Sequence, residues 1–345
     1  MKRLLLAIGV LTGLVVLVSF FSAGALIIEA QDECVTRSDE YTIGFANLTR
    51  EIVFTQLVEE GIVAKAAEYD NVELVVVDNQ LSGAQALLNV DILLAQNVDG
   101  VIEFQTEAPV ANLLMREFEN EGIPVITIDI GAPGAYFFGV DNYNAGALAG
   151  QALGTWANEN WDGSADYILV LELPQSGVVP SQRMVGQVEA LQETLVQSVV
   201  DDNVIYLDSQ NTKERAFELV TAQLVGIPEG SRVLALNIND QTADGVISAF
   251  EAAGRESEVK VVGQGADPDS QRLMLLEDSR MLGSTAYFPE AYGDQLIPMM
   301  LDLLECRDVP PVVTVDHVFI SAANVCEYYA EAWPDICAAQ LTQVR

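Results

Sequence analysis

Histidine is nearly absent from this chain: His317 is the only one among 345 residues. A single imidazole leaves no histidine pair for a metal ion and no acid–base partner for a nucleophile. There is no G-x-S-x-G elbow, and no G-x-G-x-x-G loop follows the first strand-like run. Neither a serine hydrolase nor a nucleotide-cofactor enzyme is therefore indicated. Positive charge is also scarce. Lys and Arg number 16 against 51 Asp and Glu, a formal net charge of −35. Nucleic acid and anionic lipid both need a basic footprint and are excluded as partners. The four cysteines, Cys34, Cys306, Cys326 and Cys337, match no zinc-ligand spacing. No catalysis, cofactor or metal is expected.

What the chain does have is apolar mass, 50% of its residues, enough for two cores at this length. Residues 1–30 read as a targeting segment. Lys2 and Arg3 precede an uncharged run from Leu4 to Ile28, and Ala23-Gly24-Ala25 and Ala30 are cleavage candidates. The run is long enough to span a bilayer, so a cleaved signal peptide is the first reading and an uncleaved N-terminal anchor the second. Asp32-Glu33 ahead of Cys34 does not look like a lipobox. On either reading the mature chain is exported, to the periplasm or the outer face of the cytoplasmic membrane. There its cysteines are expected in disulfides, with three connectivities open. Residues 31–40 are polar and read as a linker.

From Tyr41 onward the pattern alternates. Strand-like runs at 41–47, 72–78, 99–104 and 124–129 are interleaved with helical spacing over 51–69, 83–96 and 110–121. The pattern then restarts. Helical spacing over 145–159, 181–197, 213–225, 243–253, 269–277 and 294–304 is interleaved with strands at 167–173, 203–207, 232–238, 259–263 and 282–288. Residues 312–320 are extended. Unbroken apolar strands between helices predict an α/β fold, with two Rossmann-like domains built on parallel sheets. Trp156, Trp161 and His317 read as packing residues.

The junction of the halves is 124–146. An apolar β-branched run ends on Asp129, a Gly/Pro loop follows, and a second run from Tyr136 to Val140 ends on Asp141. Acids at the carboxyl ends of parallel strands stand where open α/β sheets bind ligands. Asp141 also fits an N-cap, because a helical run follows it.

At this point the motifs resemble a known family. YTIGFAN (41–47), VELVVVDNQ (72–80), Gln96 with Asp99-Gly100-Val101-Ile102, EGIPVITIDI (121–130), the run from Asp141-Asn142 to Ala145-Gly146, Arg183 with Gly186, Asn239-Asp240, Ala252-Ala253-Gly254 and Val261-Val262-Gly263 occur in one order. That order resembles the periplasmic sugar-binding proteins of the ribose/galactose type, type I periplasmic binding proteins that serve ABC importers. The resemblance implies two lobes joined by a three-crossing hinge at Asp141 and Asn142 and two later points. The lobes would comprise 41–139 plus 288–309 and 140–287 plus 310–345. It also implies a ligand set. Asp129 would accept sugar hydroxyls, Arg183 and Asn239 would reach in from the second lobe, and Phe54 would cover the ring. Glu51, Gln264 and Tyr287 stand at further pocket positions. Ile130 replaces a second arginine, Gly265 an aspartate, Tyr287 a hinge glutamine, and Glu51-Ile52-Val53 an Asn-Pro-type loop, so ribose itself is not expected. The plainer readings are a core role for Phe54, a surface ion pair for Arg183, hinge packing for Gln264 and Tyr287, and a solvated first-turn acid for Glu51.

The function implied is capture of a neutral monosaccharide or polyol by a monomer and delivery to an ABC permease. The alternative is the ligand-binding subunit of a sugar-sensing membrane receptor or kinase system. The same resemblance implies the disulfides Cys34–Cys306 and Cys326–Cys337.

Overall fold

The computed structural model describes residues 40–343, the last five by backbone alone. The leader and Cys34 lie outside the described residues. Among the described residues, no helix is long and apolar enough to cross a membrane.

The first half runs β1 (Tyr41–Asn47), α1 (Val53–Ala66), β2 (Val72–Asp78), α2 (Gly83–Ala95), β3 (Gly100–Glu103), α3 (Ala108–Asn120), β4 (Val125–Ile128) and β5 (Tyr136–Gly139). The second continues with α4 (Asn142–Asn160), β6 (Tyr167–Glu172), α5 (Val178–Thr194), β7 (Val204–Asp208), α6 (Lys213–Leu224), β8 (Val233–Asn237) and α7 (Asp240–Ala252). Then come β9 (Val259–Gly265), α8 (Pro268–Met274), β10 (Met281–Ala286), α9 (Gly293–Leu304), β11 (Val312–Thr314), β12 (Val318–Ser321), α10 (Val325–Tyr328) and α11 (Pro334–Gln343). Several helices start where a side chain takes an otherwise unpaired backbone N–H. Ser82, Asp141, Thr212, Asn239 and Asp267 cap α2, α4, α6, α7 and α8 in this way.

Two six-stranded sheets result, ordered β11-β5-β4-β3-β1-β2 and β12-β10-β9-β8-β6-β7. Strand pairing is parallel except between β10 and β12. In each sheet the order reverses beside its first strand, between β1 and β3 and between β6 and β8. Such a reversal opens a crevice at the carboxyl ends of the strands. Both faces of each sheet are covered, which is why β3, β4 and β8 are buried along their length and mostly apolar. Ile43, Phe45 and Ile126 pack with Leu296 and Met300 of α9 on one face of the first sheet, and Val101 packs with Leu93, Leu114 and Phe118 on the other. In the second sheet, Leu169, Leu171 and Ala235 meet Val220, Val246 and Phe250 on one face. Ile168, Val170 and Leu234 meet Leu153 and Leu191 on the other.

The chain passes between sheets three times: after β5 at Val140-Asp141, after β10 at Tyr287-Phe288, and between β11 and β12. The last crossing differs from the expected boundary. Residues 312–320 are two short strands, and Val312–Thr314 pairs with Phe137–Gly139 in the first sheet. Residues 310–345 are thus not all in the second lobe; the return comes at Val318. An extended apolar run carries no mark of which sheet will pair with it, so this was invisible locally. In the tail, a disulfide joins Cys326 of α10 to Cys337 of α11. Trp156 and Trp161 pack edge to face, with ring centroids 4.8 Å apart. Nδ1 of His317 lies 3.4 Å from the Val315 carbonyl.

Candidate functional site

The carboxyl ends of both sheets border one pocket. The first lobe contributes Leu48, Ile52, Phe54, Thr55, Phe104, Thr106, Asp129 and Ile130. The second contributes Leu173, Ser176, Pro180, Arg183, Asn211, Ile238 to Gln241, Gln264, Gly265 and Asp267, with Tyr287 at a crossing. The cavity measures about 80 Å³.

Asp129 follows β4 with φ of +58°. Aspartate tolerates this left-handed conformation better than most residues. It aims the carboxylate into the pocket, where the residue is buried. Its hydrogen-bond partners in the protein are few: the Tyr292 hydroxyl donates at 3.4 Å, and a backbone N–H comes from Val140. Burial pushes its pKa up to about 6, against the opposing pull of Arg183.

Arg183 is held firmly from behind. Its Nε donates to Asn142 Oδ1 at 3.0 Å, one Nη donates to the Ile238 carbonyl at 2.9 Å, and the guanidinium lies 5.1 Å from the Tyr287 ring centroid. The backbone beneath it is fixed by helix packing. A Cβ on Gly146 of α4 would collide with the Arg183 carbonyl of α5, so only glycine allows so close a crossing. The arginine is thereby tied to Asn142, the first residue after one crossing. Asp141 caps α4 through the Asn144 N–H.

Phe54 lies at the pocket edge among aromatic rings, 6.5, 6.1 and 6.0 Å from Phe104, Tyr287 and Tyr292, each edge-on. Its ring would stand 3.4 Å from a Cβ at Gly265, whose φ is +120°. A larger residue there would press on Phe54 and strain the backbone. The Tyr287 hydroxyl donates to Gln264 Oε1, and Gln264 Nε2 donates to the Ala145 carbonyl at 3.5 Å.

The second-lobe wall is a closed hydrogen-bond network. Asn239 accepts from the Thr242 N–H at 2.8 Å and donates to Asn211 Oδ1 at 2.9 Å. It lines the pocket, but as the N-cap of α7. Asp240 accepts from the Ser284 hydroxyl at 2.6 Å, and from the Asp267 N–H and the Ser270 hydroxyl at 2.8 Å each. Burial raises the pKa of both Asp240 and Asp267. Asp240 has four donors, the three above and a backbone N–H from Gln264, whereas the Asp267 carboxylate has one, from the Ser270 N–H, and the Asp240 charge raises its pKa further.

Glu51 is not brought to this pocket. It is exposed, precedes α1 rather than sitting in its first turn, and lines an adjoining polar vestibule of about 420 Å³ with Glu214, Asp244 and Lys213. The vestibule's one base is engaged: Lys213 pairs with Asp244 at 2.6 Å. Sequence reasoning took Asn239 from the Asn-Asp pair and passed over Asp240, its neighbour in the same motif. Thr106, Asn211 and Gln241 carried no local signal.

A model of the periplasmic binding protein domain matches residues 43–308. The ribose import binding protein of Bacillus subtilis (strain 168) is 21% identical over 281 residues, 80% of this chain and 85% of that protein. An ABC transporter solute binding protein from Agrobacterium vitis, solved with bound allitol, superposes with a TM-score of 0.73 at 20% identity, covering 85% of this chain and 99% of that one. One from Bacillus halodurans C-125, solved with bound myo-inositol, gives 0.72 at 20% identity, covering 86% and 99%.

Proposed function

Because the chain belongs to the periplasmic binding protein domain family, we propose that it captures a neutral monosaccharide or polyol between its two lobes and delivers it to an ABC import permease. The observation that carries this reading is that Asp129 of the first lobe and Arg183 of the second line one pocket. A carboxylate accepts from two adjacent hydroxyls, and a guanidinium donates to ring or hydroxyl oxygens. Each such bond contributes roughly 1.5–3 kcal/mol. A ligand bridging the two groups favours the closed arrangement by its differential contacts.

On this reading the lobes turn about the three crossings, with Asp141 and Asn142 at the first. The protein acts as a monomer outside the cytoplasm, exported by its leader, and the permease reads the closed pair of lobes. The disulfide Cys34–Cys306 is part of the same reading.

The related proteins named above are binding proteins: ribose import, allitol and myo-inositol appear in their descriptions. Thermal-shift screening against pentoses, hexoses and linear and cyclic polyols tests the reading. A ligand-dependent rise in Tm supports it, and stabilisation by none of them counts against it. Reconstitution with a cognate permease and ATPase separates delivery from sensing; ligand-stimulated ATP hydrolysis is the expected result.

A further inference from the structure

Resting on the sugar-binding reading, we infer that the preferred ligand is a deoxysugar, a neutral hexose in which a methyl replaces the exocyclic hydroxymethyl. The pocket has more polar side chains than it can offer. Asn239 and Asp240 spend their side-chain oxygens on Thr242, Ser284, Ser270 and the Asp267 N–H, and Asp267 spends one of its two on the Ser270 N–H. Gln264 bonds Tyr287 and Ala145, and the Ser176 hydroxyl bonds the Leu173 carbonyl at 2.7 Å. Two of the three guanidinium nitrogens of Arg183 are taken by Asn142 and Ile238.

What remains for a ligand, among the described side chains of the pocket, is the Asp129 carboxylate, the three other N–H groups of Arg183, the second oxygen of Asp267 and the side chains of Thr106 and Gln241, with the amide N–H₂ of Asn211 beside them. Only Asp129 and Thr106 of this set belong to the first lobe. The rest of the wall is apolar: Ile52, Phe54, Phe104, Ile130, Leu173 and Ile238. Ile130 adjoins Asp129, so a sugar seated on the carboxylate brings its neighbouring substituent against an isoleucine. A hydroxymethyl there loses its water and finds no partner, whereas a methyl gains contact and leaves nothing unpaired. The few free partners on the first lobe and the apolar wall beside them thus point to the same substituent.

The test is calorimetric titration of the purified protein with matched pairs: D-fucose and D-galactose, L-fucose and L-galactose, L-rhamnose and L-mannose, 6-deoxy-D-glucose and D-glucose. In the tightest-binding pair the deoxysugar is expected to bind about tenfold or more tightly than its parent, the difference an unpaired buried hydroxyl makes. Equal or tighter binding of the parent overturns the inference and leaves the sugar-binding reading standing. So does a response to ribose, allitol or myo-inositol without any to the deoxysugars. Binding of no sugar or polyol overturns both.

Discussion

The pocket-facing carboxylate of the first lobe, Asp129, has one long hydrogen bond from a side chain and one from the backbone. Its counterpart in the second lobe, Asp240, has three short ones. Both are buried at the carboxyl ends of a sheet, yet their surroundings assign them opposite work. Asp240 is satisfied by its own lobe and holds the β8, β9 and β10 ends together. Asp129 is left under-partnered, at the cost of a raised pKa, and so retains capacity for a ligand. A buried polar group that the protein satisfies stabilises the protein, and one that it leaves open is available to bind.

Exchanging the two acids is the most direct way to break this comparison. Asp129→Asn keeps the size and tolerates the same φ but removes the charge. It is expected to weaken sugar binding by about a hundredfold or more, with Tm unchanged or raised, as measured by calorimetry and thermal melts. Asp240→Ala should do the reverse and destabilise the fold by roughly 3 kcal/mol, because three buried donors lose their acceptor. Urea unfolding measures this, and a loss below about 1 kcal/mol would show the network to be dispensable.

A smaller effect is expected from pH. Protonated Asp129 accepts poorly, so affinity should fall by up to about tenfold per unit as pH drops below about 6. A flat profile between pH 5 and 7.5 would mean that the hydroxyls bond elsewhere. The smallest effect concerns Glu103, which is buried in the first lobe away from the pocket and bonded by Asn79 at 2.9 Å. Burial raises its pKa from 4.5 to about 8. Between those values the folded chain holds a proton that the unfolded chain releases, so stability declines as pH rises from about 4.5 to about 8. Glu103→Gln should flatten that part of the Tm profile.

Non-reducing peptide mapping tests the cysteine assignment. Cys326 is expected with Cys337 and Cys34 with Cys306; a Cys34–Cys326 peptide would refute the scheme.

The strand–helix alternation was legible because burial on both faces demands unbroken apolar strands, and those leave a mark at short range. Asp129 was legible for a related reason: an acid that closes an apolar β-branched run and precedes a Gly/Pro loop reads as a strand end. Phe54, Arg183, Asn239, Gln264 and Tyr287 were also read as pocket residues, through the order of motifs, and they do line the pocket. Their commitments were not legible. Asn239 is a helix cap bonded to Asn211, 28 residues away, and Gln264 reaches Ala145 across 119 residues. Glu51, read as a pocket acid, belongs to the vestibule because the turn before α1 carries it outward.

The sequence alone therefore determined the layers, the two halves and the acid at their junction, since each depends on neighbours within a few residues. Only the tertiary structure decided that Val312–Thr314 joins the first sheet, that Asp240 and Asn239 are saturated while Asp129 is not, and that glycines at the α4–α5 crossing lock Arg183 to Asn142. Those outcomes turn on which hydrogen-bond partner wins among distant competitors. That choice is made by packing, after the chain has folded, and leaves no periodicity to read.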